Sequence, residues 1–324
     1  MSLKIGNIEL EHGLFLAPMA GFGDRAMRLI CREYGVEFVT TEMISAKAVT
    51  YRDKKTFELC KIEEKEGPCA LQLFGHEPSV MAEAAAMLEN GYGGGVAPVA
   101  IDINMGCPVP KIVGNGEGSA LMKNPSLVFS IVSEIKKTIK IPVTVKIRKG
   151  FDEDRVNATE VALAAEEGGA SLICVHGRTK TQMYSGKADR SIIRDVKKSV
   201  QIPVVANGDI IDGESAVSML RETGCDGVAV GRGAIGNPFI FREIKAALEK
   251  REYIPPTQEE KIEVALTQLR LAIEDKGERI AVAESRKQIA EYIKGMSGAA
   301  AIRAQVNSAQ SYEEIEKIVK TTAK

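Results

Sequence analysis

The strongest constraint in this sequence is an alternation. Eight short apolar runs recur along it: Leu14–Pro18, Phe38–Met43, Cys69–Phe74, Ala100–Met105, Pro142–Ile147, Ser171–His176, Pro203–Asn207 and Asp226–Gly231. Segments with helical periodicity lie between them, such as Ser79–Asn90, Ser126–Lys140 and Glu214–Thr223. Near-continuous apolar runs suit parallel strands buried on both faces. Strand and helix repeated in this way close most simply on themselves, so residues 1–250 are expected to form a (β/α)8 TIM barrel. A doubly wound open sheet is the alternative. It would normally carry a glycine-rich nucleotide loop after its first strand, and none follows Leu14–Pro18. With no tryptophan and only 5% aromatic residues, the core has to be aliphatic, as barrel interiors are.

The pattern changes after Lys250. Arg251–Pro256 reads as a linker because Pro255 and Pro256 disfavour helix. Thr257 can then cap a new helix with Glu259 and Glu260 in its first turn. No strand pattern follows, and helices are expected over about 258–275, 279–294, 298–307 and 311–322. The fold class expected is therefore α/β, a TIM barrel followed by a small all-α helical-bundle domain over residues 251–324.

Charge and cysteine usage narrow the setting. Lys and Arg number 43 against 44 Asp and Glu, so any nucleic-acid site must be a local basic face. No run of about eighteen apolar residues suggests a membrane span, and the first residues show no secretory pattern. The six cysteines are scattered with no Cys-x-x-Cys pair, which suits free thiols in a reducing, cytoplasmic compartment. Neither a metal site nor an obligate protein partner is expected.

In a barrel, chemistry sits where strands end in their C-terminal loops. Seven of the eight strand ends carry candidate groups: Pro18, Met19 and Ala20; Gln72; Asn104 and Cys107; Lys146 and Arg148; His176 and Arg178; Asn207, Gly208 and Asp209; Gly231 and Arg232. The last two loops suit a phosphate, since glycines let backbone N–H groups approach an anion. Lys146 interrupts an apolar strand and is either the snorkelling end of an exterior residue or a cation pointing into the barrel mouth; facing inward, it places positive charge beside a ring that gains electrons. His176 and Arg178 alternate, so both can face the same way. Cys107 stands apart from the other cysteines, following a strand end and preceding the loop Gly114–Gly118. It is placed to meet a substrate as nucleophile or as proton donor.

These motifs, Asn-Met-Gly-Cys-Pro, Val-Lys-Ile-Arg, Val-His-Gly-Arg-Thr, Asn-Gly-Asp and Gly-Arg-Gly-Ala, resemble those of the tRNA-dihydrouridine synthases. Leu-Ala-Pro-Met-Ala-Gly near the start and Leu-Gln-Leu-Phe-Gly fit the same pattern. The tail resembles the bacterial B-type branch at Arg286–Ile289 and Lys294–Gly298. The resemblance implies a flavoprotein oxidoreductase that binds FMN, takes electrons from NADPH or NADH, and reduces the C5=C6 bond of uridines in tRNA. Flavin contacts then fall on Pro18, Met19, Ala20, Gln72, Lys146, His176, Asn207, Gly208, Asp209, Gly231 and Arg232. Asn104 and Arg178 hold the uracil. Hydride passes from reduced FMN to C6, and Cys107 protonates C5. The stretch Gly91–Pro98 is longer than usual and is expected at the foot of the barrel, away from the site.

Two rivals are weighed against this. A flavin barrel acting on a free pyrimidine would not need the helical tail. A tRNA-binding folding factor with a vestigial flavin site would not need Cys107 and Lys146. In the tail, Lys287 and Lys294 are seven residues apart with Arg286 beside them, and the three are expected to form a basic patch for tRNA phosphates.

Overall fold

In a computed structural model that describes residues 2–321, all eight runs are strands of one closed barrel. In chain order the strands are β1 (Leu3–Ile5), β2 (Ile8–Leu10), β3 (Leu14–Leu16), β4 (Phe38–Ser45), β5 (Cys69–Phe74) and β6 (Ala100–Met105). They continue with β7 (Val143–Asp152), β8 (Arg155–Val156), β9 (Leu172–Thr179), β10 (Val204–Asn207) and β11 (Gly227–Val230). Barrel neighbours pair in parallel, and the ladder closes where β6 meets β7 and β11 meets β3. Closure excludes the open doubly wound sheet.

Two departures from the sequence reading have plain causes. Strand β7 runs on to Asp152 and turns back antiparallel into β8. The charged pair Arg148 and Lys149 made this stretch read as loop, yet both are buried. The β1–β2 hairpin was not expected either, although Gly6-Asn7 between alternating residues is a hairpin signature. Its Leu3, Ile5 and Leu10 pack with Phe15, Phe38 and Leu172 and plug the barrel floor. The Gly91–Pro98 stretch lies at that lower end as expected. Gly95 bridges Ile62 and the Tyr92 ring meets Phe57 edge-on at 5.4 Å.

The four tail helices span Gln258–Lys276, Glu278–Tyr292, Ala299–Ser308 and Tyr312–Lys320. Thr257 caps the first, its side chain accepting from the Glu260 N–H. Residues 322–324, the end of the expected tail unit, lie outside the described residues. Leu266, Leu269, Val282, Ile289, Val306 and Ile315 are among the apolar core of this layer. Ile30 and Phe239 of the barrel join it to Val264, Ala265 and Tyr292. Ion pairs flank the joint: Lys276 Nζ lies 2.7 Å from Asp24, and Arg25 Nε lies 3.1 Å from Asp275. Behind them Arg28 and Glu66 form a buried pair. Among the described residues, no helix is long and apolar enough to cross a membrane. All six cysteines are free and buried.

Gly236 marks the closest approach of barrel and tail. Its φ is +64°, and a Cβ there would lie 2.6 Å from both Glu291 Cβ and Tyr292 N. Gly236→Ala therefore meets backbone on one side and a strained dihedral on the other, and should destabilise the protein by about 2 kcal/mol. Thermal unfolding checks this; an unchanged midpoint would mean that the tail can draw back from the barrel without loss.

Candidate active site

Closure brings the C-terminal ends of the strands to one rim, where a cavity of about 930 Å³ opens. Pro18, Met19 and Ala20 line it from the loop after β3, Gln72 from β5, Lys146 from β7 and His176 from β9. Asn207, Gly208 and Asp209 line it after β10, and Gly231 and Arg232 after β11. Asn104 and Cys107 form the wall at the end of β6. The fold thus gathers every residue expected to touch a flavin with the cysteine expected to act.

Three expected substrate contacts sit elsewhere. Arg178 is fully enclosed and does not line the cavity. Its guanidinium donates to both oxygens of Asp209 at 2.7 and 2.8 Å, to Ser185 O at 3.0 Å and to Gly186 O at 2.7 Å. It braces the loop instead of facing a ligand. Arg286 donates to Ala309 O at 2.6 Å, tying two tail helices together. Lys287 is exposed but away from the cavity. Of the tail trio only Lys294 lines the mouth, 3.1 Å from Glu291, so the three do not form one patch there.

The polar wall is a continuous run of hydrogen bonds. Thr144 Oγ1 donates to Asp102 Oδ1 at 2.6 Å, and Gln72 Nε2 donates to Asp102 Oδ2 at 2.7 Å. Asn104 Nδ2 donates to Gln72 Oε1 at 2.8 Å. Asn104 Oδ1 accepts from the N–H groups of Gly106 and Cys107 at 3.2 and 2.9 Å. Sequence reasoning missed Asp102. The signal was present: Asp102 and Asn104 are two apart on one strand and so face the same side. It missed Lys261, Glu291 and Tyr292 of the cavity rim for a different reason, since only the tertiary fold brings the tail there.

The field in the cavity is positive. Burial, together with the charges of Lys146, Arg148, Arg178 and Arg232, pushes His176 down to about 2, so its ring is neutral. Lys146 itself is lowered, chiefly by burial, and makes no hydrogen bond or ion pair among the described residues. Burial also pushes the Cys107 thiol up, against the pull of the Val109 N–H, Arg148 and Lys146. The group is therefore a thiol at neutral pH, suited to give a proton rather than to attack. Asp209 is held below the usual carboxylate range: burial opposes this, but the Ala188 N–H and Arg178 outweigh it.

The loops after β10 and β11 fit a phosphate-bearing cofactor. Gly208 has φ +122°, and a Cβ there would come within 2.7 Å of Ala188 Cβ and 3.0 Å of His176 Cδ2. At Gly231 the protein makes no such demand, since a Cβ would meet only Met19 Sδ at 3.7 Å and Ala17 Cβ at 3.9 Å. What a side chain there would fill is the cavity. The N–H groups of Gly208 and Arg232 find no acceptor among the described residues, and Arg232 adds its charge. Its guanidinium stacks on Tyr184 at 4.6 Å, at the exposed rim.

The neutral state of His176 makes stability depend on pH. Its folded value lies far below the ordinary 6.5, so it contributes stability above about pH 6.5 that is lost progressively as pH falls. The ring resonances of His176, assigned with a His176→Asn variant, should stay constant between about pH 4 and 8. A midpoint near 6.5 would mean that the surrounding cations do not act on the ring.

Comparison with known proteins agrees with this geometry. A family model described as dihydrouridine synthase matches residues 15–324. A probable tRNA-dihydrouridine synthase of Rickettsia bellii is 39% identical over 307 residues, covering 94% of this chain and 93% of that protein. The tRNA-dihydrouridine synthase B of Pasteurella multocida is 37% identical, covering 91% and 87%, and that of Pseudomonas aeruginosa is 36% identical, covering 95% and 92%. Among solved structures, an amine oxidase from Pseudomonas geniculata superposes with a TM-score of 0.59 at 15% identity over 77% of this chain, which spans 49% of the oxidase. A mandelate oxidase superposes with a TM-score of 0.51 at 17% identity over 76% of each chain. These two likenesses speak for the barrel alone; the family match and the relatives along nearly the whole length establish that the chain belongs to the dihydrouridine synthase family.

Proposed function

We propose that the chain is a tRNA-dihydrouridine synthase that binds FMN, is recharged by NADPH or NADH, and saturates the C5=C6 bond of uridines in tRNA. Family membership supports the reaction class. The observation that carries the finer reading is the Cys107 side chain sharing one cavity with a cationic, glycine-lined anion cradle. A flavin bound there supplies the hydride that adds to C6 of the uracil.

The protein's own residues do the rest. Cys107 gives its proton to C5, completing the addition, and regains one from solvent. Asn104 and Gln72 present amide groups to the rings that enter the cavity. Lys146, with no protein partner, stabilises negative charge that develops on those rings. The backbone of the loops at Gly208–Asp209 and Gly231–Arg232, with the Arg232 guanidinium, would hold the cofactor phosphate, while Arg178 acts through the Asp209 carboxylate as a positioning residue. The target uridine must leave its stack to reach this depth.

Residues 1–250 are read as the catalytic unit and 251–324 as the tRNA-binding unit. The presence of Lys261 and Lys294 on the cavity rim supports a polymeric substrate over a free pyrimidine, because they extend the site beyond one base. A cytoplasmic location fits this reading.

Dihydrouridine mapped in tRNA from cells with and without the gene tests the reaction directly; identical maps would overturn it. Mass spectrometry of the released cofactor should find FMN, and FAD would refute the single-phosphate cradle. Cys107→Ala should keep FMN and NADPH oxidation but slow single-turnover reduction of tRNA by about 10²–10⁴-fold; the parental rate would mean that the proton comes from another group. Lys261→Glu with Lys294→Glu should weaken tRNA binding and flatten its salt dependence while leaving flavin content unchanged. Parental affinity across a salt series would move the RNA face elsewhere.

A further inference from the structure

Beneath the wall of the cavity lies an acid to which the proposed chemistry gives no task. Asp102 is 5% exposed and lies beneath Gln72 and Asn104. We propose that Asp102 is a positioning residue: its acceptor-only oxygens fix the direction of the hydrogen bonds through Gln72 and Asn104, and so set the loop that carries Cys107.

The argument is one of donor and acceptor counts. A side-chain amide can turn by half a rotation and exchange its oxygen for its nitrogen, so each amide alone leaves two arrangements open. Asp102 removes that choice at one end. Its two oxygens already accept from Thr144 Oγ1 and Gln72 Nε2, so Gln72 must point its nitrogen down and its oxygen at Asn104. Asn104 must then donate to Gln72 and turn Oδ1 to the Gly106 and Cys107 N–H groups. Those N–H groups can only donate, so the far end demands the same sense. The run is over-determined, and every member is satisfied in one arrangement only.

The loop depends on this run. Cys107 is held at its N–H by Asn104 and at its carbonyl by the Ser119 N–H, 3.1 Å away. If Asp102 is replaced by a group that cannot accept, Gln72 Nε2 is left buried without a partner. Gln72 then loses its anchor, Asn104 is directed from the loop end alone, and the placement of the Cys107 loop loosens. An asparagine at this position can still offer its oxygen to Gln72 and its nitrogen to Thr144 Oγ1, which accepts in its turn. The proposal thus separates the direction of the bonds from the charge of the acid.

This inference rests on the reading of Cys107 as the working group, but its test does not need turnover. The reaction of Cys107 with iodoacetamide is followed by peptide mass spectrometry in holoprotein of the parent, Asp102→Leu and Asp102→Asn, alongside flavin content and tRNA reduction. Asp102→Leu should change the Cys107 alkylation rate at least fivefold and slow tRNA reduction by about 10²-fold, a loss of the size expected for a misplaced proton donor. Asp102→Asn should restore both to within threefold of the parent. An Asp102→Asn protein as impaired as Asp102→Leu overturns the proposal, since the direction of the hydrogen bonds would then not be what Asp102 supplies.

If Asp102→Leu does not fold, an exchange of acid and amide decides. Gln72→Glu places two acids side by side and should disturb Cys107 alkylation. Adding Asp102→Asn lets the new asparagine donate to the new glutamate, so the rate should return to within threefold of the parent. A double variant no better than Gln72→Glu alone also overturns the proposal. Failure of tRNA reduction in the parent would instead strike the proposed function, leaving the alkylation comparison intact.

Discussion

Closure of the parallel ladder between β6 and β7 is the constraint on which the site depends. In that pairing Asp102 stands beside Thr144, and Asn104 beside Lys146. On the other edge of β6, Asp102 stands beside Gln72. Register alone therefore sets the inward polar groups of three strands side by side at one height. A slip of β6 by one residue would turn Asp102 and Asn104 outward and bring its aliphatic residues, such as Ile101 and Ile103, into their place. The outward aliphatic residues, packed under the helices, make that slip costly, so the core specifies the site by specifying the register.

The field of the cavity follows from the same geometry. The chain as a whole is almost neutral, at a net charge of −1. Strand ends nonetheless bring Lys146, Arg148, Arg178 and Arg232 near His176, and burial together with these charges keeps its ring from ionising. Asp209 and Asp102 are the acids placed against them, and both are already engaged in hydrogen bonds. Asp209 pairs with Arg178 and lies 3.8 Å from Arg232, so among the described residues Lys146 and Arg148 are the cations that meet an entering anion without a paired acid, in a setting where partial burial limits screening.

Much of this was legible because strands repeat every second residue. The eight apolar runs gave their own positions, and the polar residue at each C-terminal end pointed to a shared rim. Burial was harder to read. Arg178 shares the inward alternation of His176, but its length lets it reach Asp209 and two loop carbonyls, and nothing local in the sequence reports that. Arg286 sits in a basic run, but Ala309 O takes its guanidinium. Asp102 was hidden by its own apolar neighbours. The tail residues at the rim depend on how two layers dock, which no window of sequence contains. The floor hairpin was the reverse case: its local signal was clear and was overlooked.

The joint between barrel and tail also orders events in time. Arg25 meets Asp275 across 250 residues, Lys276 meets Asp24 across 252, and Gln288 donates to Phe22 O across 266. Phe22 belongs to the loop that forms the first wall of the cavity. On the ribosome that loop is made at least 250 residues before its partners. At typical synthesis rates of about 5–20 residues per second, roughly ten seconds or more separate the two. A chain that has emerged only through the barrel therefore lacks these contacts to the first wall, and the site is completed only once the tail helices have followed.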